Sequence, residues 1–227
     1  MSVATVRRRA CAVLCDNPLV VARRLLVIVV PLLIVAVTAG ALLARYLNPL
    51  SPQPTLTSGT WLPAGRDLAP AELVDQDGKP FTLQQLRGAP HLLFFGFTHC
   101  PDVCPTTLAL LAQLKRGNVL PDLRIVFVSV DPQRDAPSSL KGYVDAFGAD
   151  ITGLTGTQAE LDKLMRSVGA IAMRRDLPVG DYSMDHSTTV YLLDSQARIA
   201  AVFTPPLTLP ALNSDLRVAA ESLKGRL

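Results

Sequence analysis

Residues 100–105 read Cys100-Pro101-Asp102-Val103-Cys104-Pro105. They follow an unbroken apolar run, His91-Leu92-Leu93-Phe94-Phe95-Gly96-Phe97, with the composition of a buried strand. They precede a helical pattern over residues 105–115. Two thiols therefore stand where a strand hands over to a helix N-terminus. Free backbone N–H groups and the helix dipole favour the thiolate at such a point, and the thiolate is the form that attacks disulfides and binds metals. The spacing is one residue longer than the redox C-x-x-C motif. Helical positions i and i+4 hold their Cβ atoms roughly 5–6 Å apart, against about 3.8 Å in a disulfide. Such a pair is spaced to hold a metal between its sulfurs, and it still closes if the first turn is irregular. The plainer reading is a structural disulfide or two core thiols, but prolines flanking both cysteines at a helix start do not resemble a core position.

Outward from this junction, strand and helix patterns alternate. Before it, residues 72–83 read as a β-hairpin around Asp77-Gly78, followed by a short helix over residues 83–87. After it, Arg124-Ile125-Val126-Phe127-Val128-Ser129-Val130 is a second continuous apolar strand. Residues 138–147 read as helix and residues 151–154 as a short strand. Residues 157–168 form another helix, with Thr157 and Glu160 in capping-box spacing. Residues 187–194 and 198–203 make a late hairpin, and residues 209–223 close the chain as a helix. This order predicts an α/β domain with a central sheet covered on both faces. A dithiol at the first β–α junction and a late hairpin give it a thioredoxin-like fold with an added N-terminal β-hairpin.

The 227-residue chain carries a formal charge of +3, which hides a division. Residues 1–45 hold six arginines and one aspartate, while the remainder is net −2. Nucleic-acid binding therefore has no electrostatic support. Residues 25–44 are uncharged and almost wholly apolar, long enough as a helix to span a bilayer of ~30 Å. A cleavable signal has a shorter apolar core of ~7–15 residues, so this segment is expected to be an uncleaved transmembrane anchor. Arg7, Arg8, Arg9, Arg23 and Arg24 precede it and only Arg45 follows closely, which places residues 1–24 in the cytoplasm as a basic tail. Residues 45–65, rich in proline, read as an extended tether, and residues 66–227 as the folded outer domain. The preference for Arg over Lys suits a bacterium, which would put the anchor in the inner membrane and the domain in the periplasm. Cys11 and Cys15 fall on the cytoplasmic side and are assigned no role. Cys100 and Cys104 fall outside, where dithiols oxidise.

The outer domain holds three histidines, His91, His99 and His186. His186 precedes the strand of the late hairpin. In a thioredoxin-like sheet the loop before this strand lies against the dithiol. Two thiolates and one imidazole suit copper, as Cu(I) or Cu(II). Zinc takes the same ligand types but wants four in a structural site, and His99 is the available fourth. Asp102, Asp131 and Asp185 are candidates to tune or orient the ligands, and Met184, two residues before His186, is a weak candidate for a transient thioether contact.

Four features together resemble the Sco/SenC family of membrane-anchored copper proteins. They are the motif over residues 95–105, Val128-Ser129-Val130-Asp131-Pro132-Gln133-Arg134-Asp135, Tyr182-Ser183-Met184-Asp185-His186-Ser187, and the single N-terminal span. The resemblance covers about residues 66–225. It implies one copper ion held by Cys100, Cys104 and His186, and a role in building the CuA centre of cytochrome c oxidase. The implied partner is the CuA-bearing subunit II or another extracytoplasmic copper protein. The segment 174–184 is more compact than is usual in the family. The rival reading is an extracytoplasmic thiol–disulfide oxidoreductase in which Cys100 attacks and Cys104 resolves.

Overall fold

The computed structural model describes residues 18–47, 54–120, 122–148 and 150–224. Cys11, Cys15, most of the basic tail and Pro49 and Pro52 of the tether lie outside the described residues. Two compact units divide between residues 52 and 53.

The first unit is the helix α1 (Pro18–Leu47), which continues through Pro31. Within it, residues Leu26–Tyr46 have a mean hydropathy of 2.9, long and apolar enough to cross a membrane. The Thr38 hydroxyl donates to the Ile34 carbonyl at 2.8 Å, so its polar group is satisfied inside the helix.

Among the described residues, the second unit holds an eight-stranded mixed sheet, a separate two-stranded ribbon and four α-helices. In chain order its elements are β1 (Gly59–Asp67), β2 (Glu72–Asp75), β3 (Pro80–Thr82), β4 (His91–Gly96), α2 (Val103–Arg116), β5 (Arg124–Ser129) and α3 (Pro137–Asp145). There follow β6 (Ile151–Gly156), α4 (Gln158–Val168), β7 (Ala172–Asp176), β8 (Tyr182–His186), β9 (Val190–Leu193), β10 (Arg198–Phe203) and α5 (Leu209–Leu223). The sheet order is β1-β10-β9-β4-β5-β6-β2-β3. β4 pairs in parallel with β5, and β5 with β6. β9 pairs antiparallel on the other side of β4. Every residue of β4 and β9 is buried, as a strand covered on both faces requires. The parallel β4-α2-β5 unit beside the antiparallel β9–β10 hairpin and α5 is the thioredoxin-like arrangement. The added hairpin is β2–β3, joined to the sheet through β2 and β6.

Three local expectations change. Residues 59–65, composed like tether, belong to β1, which pairs with β10 at the sheet edge. Just before it, buried Asp215 of α5 accepts hydrogen bonds from the Thr57 and Ser58 amides at 2.6 and 2.8 Å, so the chain is pinned before the strand begins. Thr157 caps α4 through the Glu160 amide, but the Glu160 carboxylate accepts from the Glu72 amide at 3.0 Å and so ties α4 to β2. Residues 172–186, which carry no strand signal in the sequence reading, form the two-stranded ribbon β7–β8, separate from the main sheet.

Candidate metal centre

α2 starts at Val103, two residues earlier than the sequence pattern suggests, so Cys104 lies in its first turn. Cys104, Leu108, Leu111 and Ala112 share the buried face of this helix, following the i, i+4, i+7, i+8 spacing. Cys104 is consequently 0% exposed. Gly96, the last residue of β4, makes room for it: a Cβ there would lie 2.8 Å from Cys104 Sγ and 2.6 Å from Phe127 Cε2. Cys100 lies before the helix and is half-buried and unbridged. Its sulfur accepts a hydrogen bond from the Cys104 amide at 3.4 Å, satisfying one of the free N–H groups of the first turn.

His186 is the last residue of β8, not part of a loop. Its Nδ1–H donates to the Ser187 carbonyl at 3.0 Å. That leaves the Nε2 lone pair facing Cys104 Sγ, 3.4 Å away. Phe94 and Phe97 pack edge-on against the ring, with centroids at 6.2 and 5.7 Å. Burial holds the His186 pKa below its ordinary value, only partly offset by the Ser187 carbonyl and Asp185. Burial likewise pushes the Cys104 thiol far above its usual range, against a weaker opposing contribution from the Phe97 backbone. The helix start was expected to favour a thiolate here; for Cys104 desolvation outweighs it. Burial thus works against the charged form of both partners in this contact.

Cys100 Sγ, Cys104 Sγ and a ring nitrogen of His186 all lie within 4.8 Å of one another. A first-row metal ion bonded at ~2.0–2.3 Å requires ligands within roughly 4.5 Å of each other, so this set accepts an ion with an adjustment of a few tenths of an ångström. The donors are two soft sulfurs and one imidazole, a combination favoured by copper. Ligation by Cys104 displaces its proton. The site lies beyond the C-terminal ends of the parallel strands β4 and β5, where open α/β sheets place their ligands.

The other candidates fall elsewhere. His99 is outside the ligand group: its Nδ1–H donates to Thr98 Oγ1 at 3.0 Å, and its side chain is 54% exposed. His91 begins β4, at the strand end away from the site, buried with Nδ1 bonded to the Ala89 carbonyl. Asp102 precedes α2, where its carboxylate accepts from the Thr106 hydroxyl at 3.3 Å. Asp185 pairs with Arg175 on the ribbon surface. Met184 packs against the core. Asp131 does not bind the imidazole; it accepts from the Tyr182 hydroxyl at 2.8 Å and from Arg134 Nε at 2.6 Å. Asp135, fully buried, was missed by sequence reasoning: it accepts from the Thr98 hydroxyl and the Ser129 hydroxyl, each at 2.6 Å. Its signal was present in the motif Asp131-Pro132-Gln133-Arg134-Asp135 at the end of a central strand.

Comparison with known proteins places the chain among copper-binding relatives. The family profile described as SCO1/SenC matches residues 66–221. A putative copper-binding protein of Stutzerimonas stutzeri is 38% identical over 159 residues, which cover 68% of this chain and 78% of that protein. The crystal structure of Arabidopsis thaliana ScoI with copper bound superposes with a TM-score of 0.64 at 33% identity, over 68% of this chain and 98% of that one. BsSco, described as a member of the Sco family of cytochrome c oxidase assembly proteins with a disulfide switch, superposes at 0.56 with 27% identity, over 71% and 98%.

Proposed function

Because the chain belongs to the SCO1/SenC family, we propose that it is a membrane-anchored copper metallochaperone serving the CuA site of cytochrome c oxidase. One copper ion binds through Cys100 Sγ, Cys104 Sγ and His186 Nε2. The observation that carries this reading is the convergence of two thiols and a neutral imidazole within 4.8 Å, from segments far apart in sequence. The copper-bound relative from Arabidopsis supports the choice of metal. Three protein ligands leave a coordination position through which a recipient's sulfur enters, so the ion passes by ligand exchange without being free in solution.

The recipient is the CuA-bearing subunit II or another extracytoplasmic copper protein. Outside α1, the exposed large hydrophobics among the described residues are Val103, Ile171 and Met173. Val103 stands between the two thiols, and Ile171 and Met173 flank Ala172, which pairs with His186. Exposed apolar side chains near a transfer site favour a protein partner. Residues 25–44 anchor the protein in the bacterial inner membrane. Residues 1–24 are cytoplasmic, and the thioredoxin-like domain faces the periplasm.

A thiol–disulfide reductase is the second reading. It is favoured by the partial exposure of Cys100, whose Sγ accepts from the Cys104 amide, beside the buried Cys104. In that chemistry the Cys100 thiolate attacks a partner disulfide and releases one partner thiolate. Cys104 then displaces the second, leaving Cys100–Cys104 oxidised and the partner reduced.

The deciding experiment titrates the reduced, full-length protein in detergent with copper under anaerobic conditions. Metallochaperone action requires one copper per chain, with thiolate-to-Cu(II) absorption lost in Cys100→Ser, Cys104→Ser and His186→Ala. Parent-like binding by His186→Ala removes His186 from the ligand set. No stoichiometric copper together with a readily cycled disulfide selects the reductase.

A further inference from the structure

The two halves of the site come from segments with no backbone ladder between them. The thiols follow β4, and His186 ends the ribbon β7–β8, which is not part of the main sheet. One short loop after β5, residues 131–135, touches both. It is braced internally: the Arg134 and Asp135 amides donate back to the Asp131 carbonyl at 3.2 and 3.0 Å. The Asp131 amide donates to Ser129 Oγ at 3.0 Å.

One arm of this loop reaches the segment that leads into the thiols. Buried Asp135 accepts from both the amide and the hydroxyl of Thr98, two residues before Cys100. The other arm reaches the histidine strand. Arg134 Nε donates to Asp131 at 2.6 Å, and Nη1 donates to the Tyr182 carbonyl at 2.9 Å. The guanidinium carbon lies 3.7 Å from the centre of the Tyr182 ring, whose hydroxyl donates to Asp131. Arg174 lies 3.9 Å from the same ring centre. Both guanidinium groups are thus within cation–π reach of the Tyr182 ring. Tyr182 and His186 occupy positions i and i+4 of β8 and point to the same side. Arg134 also lies 5.8 Å from the Phe97 ring, which packs edge-on against His186. Its Nη2 is buried without a hydrogen-bond partner among the described residues, and the Phe97 ring is within cation–π reach of the group.

We propose that residues 131–135 form a positioning bracket that sets the separation between the Cys100–Cys104 pair and His186, with Arg134 and Tyr182 as the positioning residues of the histidine arm. The proposal rests on the copper reading for its purpose and on the contacts above for its existence. Arg134 reaches no ligand directly. It fixes β8 to the end of a central strand, so that His186 is presented without freedom to swing away. Loosening this arm should leave the thiols in place while withdrawing the imidazole.

The test uses the full-length protein with Arg134→Gln, Arg134→Lys and Tyr182→Phe. Copper affinity is measured by competition, and amide hydrogen exchange is measured on the metal-free protein. The bracket requires Arg134→Gln to bind copper ~10–100-fold more weakly, the range for outer partners of metal ligands. Arg134→Lys, which keeps the charge but loses the planar fork, should recover part of that loss. Tyr182→Phe, which loses only the hydroxyl bond to Asp131, should show the smallest effect. Faster exchange should be confined to residues 172–187, with β4 and β5 unchanged. Parent-like affinity and exchange in Arg134→Gln would overturn the proposal. So would loss of protection spread across the whole domain, which marks a merely structural residue. If the parent binds no copper, the functional reading fails, and the exchange measurement still decides whether the bracket exists.

Discussion

Cys104 Sγ and His186 Nε2, separated by 82 positions in the chain, lie 3.4 Å apart. The contact joins a sulfur buried by α2 to a ring whose other nitrogen is committed to the Ser187 carbonyl. Burial disfavours the charged form of each partner. Small changes in this packing should therefore register in metal binding before they register in the fold.

Gly96 is the sharpest case. A methyl group there meets Cys104 Sγ at 2.8 Å and Phe127 Cε2 at 2.6 Å. Gly96→Ala is expected to displace the sulfur and to destabilise the domain by about 1–3 kcal/mol, the usual cost of overpacking. Chemical denaturation and copper titration check this together. Unchanged stability with parent-like copper binding would show that the surrounding packing yields freely.

His99 provides the contrasting case. It neighbours Cys100, yet its Nδ1 is engaged by Thr98 and its side chain is largely exposed. His99→Ala should keep the copper stoichiometry and the absorption spectrum of the parent. Loss of either would place a fourth ligand in the set and revive zinc as a candidate.

Ile171 and Met173 bear on the partner. Both are exposed and flank the residue that pairs with His186. The double change Ile171→Ser with Met173→Ser should leave copper binding untouched and slow transfer to a reduced CuA domain several-fold. Stopped-flow transfer kinetics make the comparison, and equal rates would remove this face from the docking surface.

His91 governs a pH dependence unrelated to the site. It is 3% exposed, and burial lowers its pKa from 6.5 to about 4, with the Ala89 carbonyl opposing. Between these values the unfolded chain binds the proton and the folded chain does not. Stability is therefore full above about pH 6.5 and is lost as pH falls towards 4, by at most roughly 3 kcal/mol from this group. Denaturant midpoints of the parent and His91→Gln, measured from pH 7 to 4.5, should converge as the pH falls. Parallel curves would refute the assignment.

Much of the fold is legible because its signals are local. The apolar runs of β4 and β5 mark central strands, the Asp77-Gly78 turn marks the β2–β3 hairpin, and Thr157 marks the start of α4. The ribbon β7–β8 is not legible. Its strands alternate weakly and carry Arg174, Arg175, Asp176 and Asp185 on the surface, and the turn residues Pro178 and Gly180 were the only available signal. β1 was hidden by Pro63 and Gly65, which read as tether, although edge strands tolerate both.

By itself, the sequence determined that two thiols stand at a strand–helix junction, that an apolar segment precedes the domain, and that the domain is α/β. These follow from periodicity and composition over a few neighbouring residues. The tertiary structure set the distance at which the histidine singled out by sequence, His186, faces Cys104, and it carried His91 and His99 away from the ligand group. It also decided that burial raises the Cys104 thiol pKa, because desolvation depends on everything packed around the sulfur and here outweighs the helix start. And it revealed that one loop after β5 contacts both ligand-bearing segments, a relationship among residues 98, 134 and 182 that no local pattern encodes.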